Sequence, residues 1–324
     1  MFAAEHAALD WFKYELKLDS AVWLYSLIKF IREEGPNRLY YHYWQREEGS
    51  ENGRLIVVPE DPVMAIHHKI QQFLVREFER KPWSFGFMGG SCEQAAHEHK
   101  KHRSFLKFDV RHAFFQIDHQ KVFESLCRKP AFGKRHFGTI SKWVARFIAD
   151  LCTVQAWPEL KERYHCTTFL PQGAPTSPIL FDIACDKFDE QMIKLASRVR
   201  ATYTRYADNV VFSMPDRKFP PKVRRAILHE AMAFFPIHKV SESNFGEPFR
   251  MLGLQIVDHQ VRMTRQYKRK LKGALYHLKY AAEHNEIDER AVQKARGLMS
   301  FAVSEQLSPD TIEKFLANCK QSKN

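Results

Sequence analysis

Hydrophobic residues recur at helical spacing in the first part of the chain. Leu9, Phe12 and Leu16 form one series, and a second runs from Val22 to Ile31 before Gly35-Pro36 interrupts it. Steps of three and four residues place apolar side chains on one face of a helix. The pattern predicts two short helices between residue 1 and about residue 34.

The next segment changes from a helical to an alternating pattern. Between Arg38 and Pro62, aromatic and β-branched residues flank a polar tip that ends in Asn52-Gly53. Asn-Gly is favoured in tight hairpin turns, so we predict a β-hairpin here. From Val63 to about Phe78 the three- and four-residue steps return among basic side chains, which predicts a basic amphipathic helix.

Two strongly apolar runs in the middle of the chain predict buried strands. They are FLKFDV, which ends at Val110, and YTRYADNVVFSM, which ends at Met214. After Gly253 the sequence becomes basic, and its spacing predicts that the remainder is helical.

Composition narrows the class of protein. Of 324 residues, 44% are hydrophobic and 27% are charged, as in folded soluble enzymes. Fifty Lys and Arg against 38 Asp and Glu give a net charge of +12, so a polyanion such as nucleic acid is the expected partner. No window is apolar enough for a membrane span, and the six cysteines are dispersed. We therefore expect a cytoplasmic protein without a membrane partner.

Two carboxylates stand where strands meet turns. Asp109 ends the first apolar run, and Asp208 lies in the polar turn of the second. Carboxylates on neighbouring strands can hold two magnesium ions ~3.5–4 Å apart for phosphoryl transfer. Asn and Asp are also ordinary hairpin residues, so the turn alone leaves both interpretations open.

A turn rich in Pro and Gly lies between these two carboxylates in the sequence. Phe169 to Pro178 reads FLPQGAPTSP and precedes an apolar helical run. Such a turn at the start of a helix exposes backbone amides to a phosphate or a base.

Three motifs in this order, FDVRHAF, LPQGAPTSP and YADN, resemble bacterial reverse transcriptases of the retron and group II intron lineage, including defence-associated relatives. RLIVVP, which starts at Arg54, resembles the fingers strand of that family. Ser84–Ser91 with Ala96 and His99 resembles its following loop, and Met251–Leu254 resembles the primer grip. The resemblance covers roughly residues 50 to 275.

The fold implied by this resemblance is α+β, a right-hand polymerase with fingers, a palm with an antiparallel sheet, and a helical thumb. We expect N-terminal helices and fingers over residues 1–100. The palm, with part of the fingers, is expected over residues 101–255, and the helical thumb over residues 256–324.

The resemblance also implies the metal site. It makes Asp109, Val110 and Asp208 the ligands of Mg²⁺, with Mn²⁺ as an alternative ion, and it adds Asn209 to the catalytic group. Most relatives carry Tyr-x-Asp-Asp, whereas this chain has Asn209 at the last position. Loss of that negative charge is expected to weaken metal affinity.

Roles in binding the incoming nucleotide follow from the same resemblance. Phe114 matches the steric gate that rejects a ribose 2′-hydroxyl, although it could equally be a core aromatic. Gln172 and Gly173 would contact the nucleotide and the templating base. Arg54 would bind the triphosphate or be a solvated hairpin residue, and Lys239, beside an equally placed His238, would be a general acid.

A basic segment is a candidate for nucleic-acid binding. Arg265, Lys268, Arg269 and Lys272 fall on one side of a predicted helix, opposite leucines. They would follow a phosphate backbone or form a solvated face.

The leading hypothesis is an RNA-directed DNA polymerase that uses dNTPs, an RNA template and a structured noncoding RNA, with phage defence as a suggested role. One alternative is a catalytically weakened polymerase fold that only binds RNA. Another is template-independent or protein-primed synthesis from a tyrosine such as Tyr40, Tyr41 or Tyr43. An accessory protein or a homo-oligomer stays open.

Overall fold

The structure is a computed structural model that describes residues 2–46, 53–128, 139–215, 218–243, 245–284 and 289–300. Its α-helices are α1 (Phe2–Glu15), α2 (Ala21–Glu34), α3 (Asp61–Glu77), α4 (Cys92–His99), α5 (His119–Cys127), α6 (Thr139–Cys152), α7 (Pro158–Tyr164), α8 (Ser177–Ala184), α9 (Asp186–Val199), α10 (Pro221–Met232), α11 (Arg265–Glu283) and α12 (Glu289–Ser300).

The strands are β1 (Tyr40–Gln45), β2 (Arg54–Pro59), β3 (Ser104–Val110), β4 (Val154–Gln155), β5 (Thr168–Phe169), β6 (Thr202–Tyr206), β7 (Asn209–Met214), β8 (Ile237–Glu242), β9 (Phe249–Met251), β10 (Leu254–Val257) and β11 (Gln260–Met263). They form sheets in the orders β1-β2, β4-β5, β6-β7-β3-β8 and β11-β10-β9.

The chain divides into two compact units. Unit 1 comprises Met1–Pro82, Asp109–Ile193 and Leu228–His238, and unit 2 comprises Trp83–Phe108, Lys194–Ile227 and Lys239–Asn324. The subdomain bounds expected from the sequence stay a prediction.

Unit 1 contains the two predicted N-terminal helices and the predicted hairpin. Strands β1 and β2 pair antiparallel, and a core of Leu55, Val57, Phe115 and Phe169 packs beneath them. The predicted polar tip, up to and including Asn52, lies outside the described residues. Arg32 of α2 contacts Asp150 of α6 at 2.8 Å, so an ion pair as well as apolar packing ties the N-terminal helices to this unit.

Unit 2 contains most of the four-stranded sheet and a second core. This core includes Phe105, Phe249 and Leu254, and the Phe105 and Phe249 rings stack at a centroid distance of 4.3 Å. Leu271 and Leu278 of α11 are also part of it, as expected for the apolar face of an amphipathic helix.

The helix expected directly after Gly253 begins later. Strands β10 and β11 form an antiparallel hairpin first, and α11 starts at Arg265. Leu254 and Ile256 of β10, and Val261 and Met263 of β11, are buried at alternate positions of each strand. This strand periodicity covers too few residues to stand out in the sequence beside the basic run. Among the described residues, no helix is long and apolar enough to cross a membrane.

Candidate active site

Asp208 lies in a tight turn between two antiparallel strands. Tyr206 of β6 pairs with Asn209 of β7, which leaves Ala207 and Asp208 as the turn. Ala207 has φ 53°, a left-handed conformation that normally favours glycine. The predicted hairpin is therefore present, and its turn adopts a conformation that alanine alone would disfavour.

The segment from Trp83 to Gly86 packs against this turn. The Arg205 N–H donates to Trp83 O at 2.8 Å, and the Phe85 N–H donates to Arg205 O at 2.9 Å. A Cβ placed on Gly86 would lie 2.2 Å from Ala207 N, so only glycine allows the two backbones to approach this closely. Arg205 is fully buried and its guanidinium donates to Ala207 O at 3.2 Å. The turn is therefore held by backbone packing as well as by its own strands.

A buried histidine joins the two strands of the same hairpin. His99 Nε2 lies 2.7 Å from Thr204 Oγ1 on β6, and His99 Nδ1 lies 2.5 Å from Ser213 Oγ on β7. His102 Nδ1 also contacts Ser213 Oγ. Burial, with a smaller contribution from His102, lowers the pKa of His99 to about 3. His99 is thus a neutral bridge between the strands that carry Asp208.

The other predicted acid lies near the end of β3. Asp109 is buried at 7% exposure in a strand that is buried at almost every position. In the four-stranded sheet, β3 is the direct neighbour of β7. The amide of Asn209, the first residue of β7, donates a hydrogen bond to Asp208.

The Pro-Gln-Gly turn contacts the hairpin in unit 1. The Val57 N–H donates to Gln172 O at 2.8 Å, and the Leu170 N–H donates to Phe114 O at 3.2 Å. Gly173 has φ 140°, and a Cβ there would lie 2.7 Å from Val57 O. Unit 1 therefore brings together the backbone of β2, the Pro-Gln-Gly turn and the Phe114 segment.

A buried polar chain lies behind this turn. His67 is fully buried, with Nδ1 2.6 Å from Thr176 Oγ1 and Nε2 2.7 Å from the hydroxyl of Tyr40. That hydroxyl in turn donates to Leu151 O at 3.0 Å, so Tyr40 is not exposed for priming chemistry. Burial, followed by the charge of His68, lowers the pKa of His67 to about 3.

The other residues predicted to contact the nucleotide differ in how far they are exposed. Arg54 is exposed at the start of β2, and Phe114 is half-buried with its ring 5.6 Å from that of Phe181. Lys239 is exposed on β8 with φ 51°. His238 Nδ1 is buried and has no hydrogen-bond partner among the described residues.

The predicted basic face is present on α11. Arg265, Lys268, Arg269 and Lys272 are all exposed, and at 3.6 residues per turn they fall within about 100° of arc. Two exposed tyrosines, Tyr276 at 68% and Tyr280 at 51%, extend the same side of the helix. We name this set of six side chains the α11 stripe.

Several supporting residues were not assigned roles from the sequence. The bridging role of His99 depends on partners more than 100 positions away, and the need for Gly86 depends on the approach of a separate strand. Tyr276 and Tyr280 could have been found, because helical spacing continues the basic run into them.

Comparisons with known proteins agree with these features. A family model described as "Reverse transcriptase (RNA-dependent DNA polymerase)" matches residues 48–256. The retron Ec86 reverse transcriptase of Escherichia coli is 24% identical over 82% of this chain and 76% of its own length. The retron Mx162 reverse transcriptase of Myxococcus xanthus is 27% identical over 67% of this chain and 41% of its own length. Apo telomerase from Candida tropicalis aligns with a TM-score of 0.48 and 9% identity, over 92% of this chain and 65% of that one.

The matched residues include the sheet, the acid-bearing turn and the Pro-Gln-Gly turn, and they define a nucleic-acid polymerase of the right-hand class. The chain belongs to the reverse transcriptase family. The α+β fold and the enzyme class expected from the sequence, an RNA-directed DNA polymerase with retron-like relatives, are thereby confirmed.

Proposed function

We propose that this chain extends DNA on an RNA template, with the carboxylates of Asp109 and Asp208 holding the divalent metal ions. The observation that carries the proposal is the hydrogen bond from the Arg103 N–H to Met214 O, 3.1 Å long. Arg103 directly precedes β3, which begins at Ser104, and Met214 is the last residue of β7. Because the bond joins the start of one strand to the end of its neighbour, the two strands run antiparallel. This bond pairs the start of β3 with the end of β7 inside unit 2; β3 then continues towards Asp109, and Asp208 stands in the turn that precedes β7.

The donor set fits a hard divalent cation. Asp109 and Asp208 offer carboxylate oxygens, and Val110 offers a main-chain carbonyl, which are the ligands that Mg²⁺ prefers. The bound ions would activate a 3′-hydroxyl and neutralise charge on the departing pyrophosphate. Mg²⁺ is the proposed ion, with Mn²⁺ as the alternative.

The other residues would position the nucleotide. The backbone of Gln172 and Gly173, which the hydrogen bond from Val57 holds in position, would pack against the incoming base pair. Phe114 would occupy the space of a ribose 2′-hydroxyl. Arg54 is exposed and would bind the triphosphate, and Lys239 would donate a proton to pyrophosphate.

Asn209 joins the catalytic group in a different way from an acid. Its amide nitrogen donates to Asp208 Oδ1 at 3.1 Å, which fixes the orientation of that carboxylate without adding charge. A pair of carboxylates can still suffice for two-metal chemistry, so we propose an active enzyme rather than an inert RNA-binding fold.

The proposed partners are an RNA template, its DNA product and a structured noncoding RNA, in the cytoplasm. The net charge of +12 and the α11 stripe support a polyanionic partner. The relatives named as retron reverse transcriptases support the lineage, and we extend it to a role in phage defence.

The test is incorporation by the purified full chain on a primed RNA template. Labelled dNTPs are supplied with Mg²⁺ or Mn²⁺, and wild type is compared with Asp208→Ala and Asp109→Ala. We expect a DNase-sensitive product that both substitutions reduce by at least about 10³-fold. An RNA-bound but inactive wild type under either metal would favour the non-catalytic scaffold. Product made without template would favour template-independent synthesis.

A further inference from the structure

A cavity of ≈ 220 Å³ lies in unit 2 at the start of β3. Phe105, Ile256 and Val257 supply its apolar wall. Pockets for drug-sized ligands span ~300–1,000 Å³, so this one suits a single small ring system. None of the residues that line the cavity is among the proposed metal ligands Asp109, Val110 and Asp208.

Polar side chains surround the cavity, and all of them are charged or can be: His102, Arg103, Glu247, Asp258 and His259. Arg103 and the two histidines offer planar groups and hydrogen-bond donors. Glu247 and Asp258 offer acceptors. A ligand that uses every side of this cavity must therefore be flat and must carry both donors and acceptors at its edge.

The rim is held in place by backbone contacts. Asp258 and His259 form the β10–β11 turn with φ 49° and 61°, and His259 Nδ1 lies 3.1 Å from Lys100 O. The Gly246 N–H donates to Arg103 O at 2.9 Å, and the Arg103 guanidinium lies 4.6 Å from the Phe245 ring centroid. These contacts position the β10–β11 turn, His259 and Arg103 before any ligand binds.

We propose that this cavity binds one unpaired nucleotide whose base carries an exocyclic amino group. Unstacked bases lie against His or Arg planes and are recognised through hydrogen bonds at their edges. The two carboxylates would accept from the amino group, and Arg103 would donate to ring nitrogen or carbonyl oxygen. The main chain of Lys100 contacts His259 at the rim, and the ammonium groups of Lys100 and Lys101 would supply positive charge for the phosphate. The inference rests on the proposed function for its source, an unpaired position in the RNA partner.

The experiment measures binding to the full chain in EDTA, which removes metal-dependent binding at the polymerase site. Matched mononucleotides differ at the amino group: GMP against IMP, and CMP against UMP. We expect the amino-bearing member of each pair to bind about tenfold or more tightly. Equal affinity within both pairs would overturn the proposal.

Two variants connect binding to the cavity. Val257→Trp fills it and is expected to abolish binding. His259→Gly removes a rim plane and its contact with Lys100 O at a left-handed position that glycine tolerates, so it should weaken binding while the chain stays folded, which a melting curve checks. Binding that is unchanged in Val257→Trp would place the nucleotide elsewhere and overturn the assignment.

A second experiment shows whether the nucleotide belongs to RNA or is a free nucleotide. Single-stranded oligoribonucleotides carrying one photoreactive base should cross-link to peptides containing Asp258 or Glu247 if the base comes from RNA. Mononucleotide binding without such cross-links would assign the cavity to a free nucleotide of the same chemistry. Polymerisation is assayed separately, so an inactive enzyme with intact GMP selectivity would refute the proposed function and leave this site standing.

Discussion

The side-chain amide of Asn209 donates a hydrogen bond of 3.1 Å to the carboxylate of Asp208. Both side chains are half-exposed at the turn between β6 and β7. A carboxylate at position 209 would place like charges side by side, and it would need a cation to offset their repulsion. The amide instead orients Asp208 without any cation. The turn is therefore organised without a metal ion, and it carries one negative charge fewer than a pair of carboxylates would.

Asn209→Asp is accordingly expected to strengthen the binding of metal at the turn and to destabilise the turn when metal is absent. The added charge should lower the Mg²⁺ concentration for half-maximal incorporation by several-fold, and lower Tm in EDTA. A Mg²⁺ titration of the initial rate and a melting curve in EDTA measure the two effects. Asn209→Ala is the control, because it removes the hydrogen bond without adding charge. An unchanged or higher Mg²⁺ requirement in Asn209→Asp would contradict this account.

Gly86→Ala should disrupt the turn that carries Asp208. The new Cβ would lie 2.2 Å from Ala207 N, so the backbone must shift. We expect the free energy of unfolding to fall by about 1–3 kcal/mol, as for overpacking, and the rate of incorporation to fall more than tenfold. Urea unfolding and single-nucleotide extension measure these quantities.

Two comparisons separate this effect from the loss of a glycine in general. Gly273→Ala in α11 meets nothing within 4 Å and should stabilise by about 0.5–1 kcal/mol. Ala207→Gly relieves the left-handed conformation at φ 53° and should not destabilise. If Gly86→Ala left the free energy of unfolding and the rate of incorporation no lower than Gly273→Ala does, the close approach of the two backbones would not be needed for activity.

The sequence predicted the elements whose signals are local. Helices α1 and α2, the β1–β2 hairpin and the apolar face of α11 follow from spacing that neighbouring residues set by themselves. The order of the motifs was enough to indicate the reverse transcriptase family, which the matching family model confirms, and the roles of Asp109 and Asp208 stay a prediction.

The parts that the sequence did not predict depend on distant partners. His67 meets Thr176 109 positions later, and His99 meets Ser213 114 positions later. Before the fold is known, a lone histidine gives no indication of such a contact. The β10–β11 hairpin was missed for a different reason, since its strands are four residues each and adjoin a strongly helical basic run.

Phe114→Val should relax selection against ribonucleotides. Phe114 is half-buried and its main-chain oxygen accepts from the Leu170 N–H, so its backbone lies beside the segment that leads into the Pro-Gln-Gly turn. Removing the ring should raise kcat/KM for rNTPs by about tenfold or more, with a smaller change for dNTPs. The ratio of the two values is the measurement. Equal losses for both substrates would identify Phe114 as a core residue instead.

Stability should fall in mild acid because two histidines are buried in the neutral form. The pKa values of His67 and His99 are about 3, against 6.5 for a free histidine. Below pH 6.5 the unfolded chain binds protons that the folded chain does not. Their stabilising contribution is therefore complete above pH 6.5 and is lost as pH falls towards 3.

Each pH unit in that window should cost roughly 1.4 kcal/mol per histidine at most. Urea midpoints measured between pH 7 and pH 4 give the slope. His67→Gln and His99→Gln should each lower stability at pH 7 and flatten this slope. A slope that both variants leave unchanged would assign the acid sensitivity to carboxylates.

The α11 stripe should bind nucleic acid through its phosphates. Arg269→Ala with Lys272→Ala removes two exposed charges from one side of the helix. For an RNA–DNA duplex, the slope of log K against log salt should become shallower by roughly one for each contact removed. Lys270→Ala is the matched control, because Lys270 is equally exposed but lies about 100° round the helix from Arg269. If the double variant and Lys270→Ala changed this slope equally per charge removed, the helix would act through its net charge and not through an oriented face.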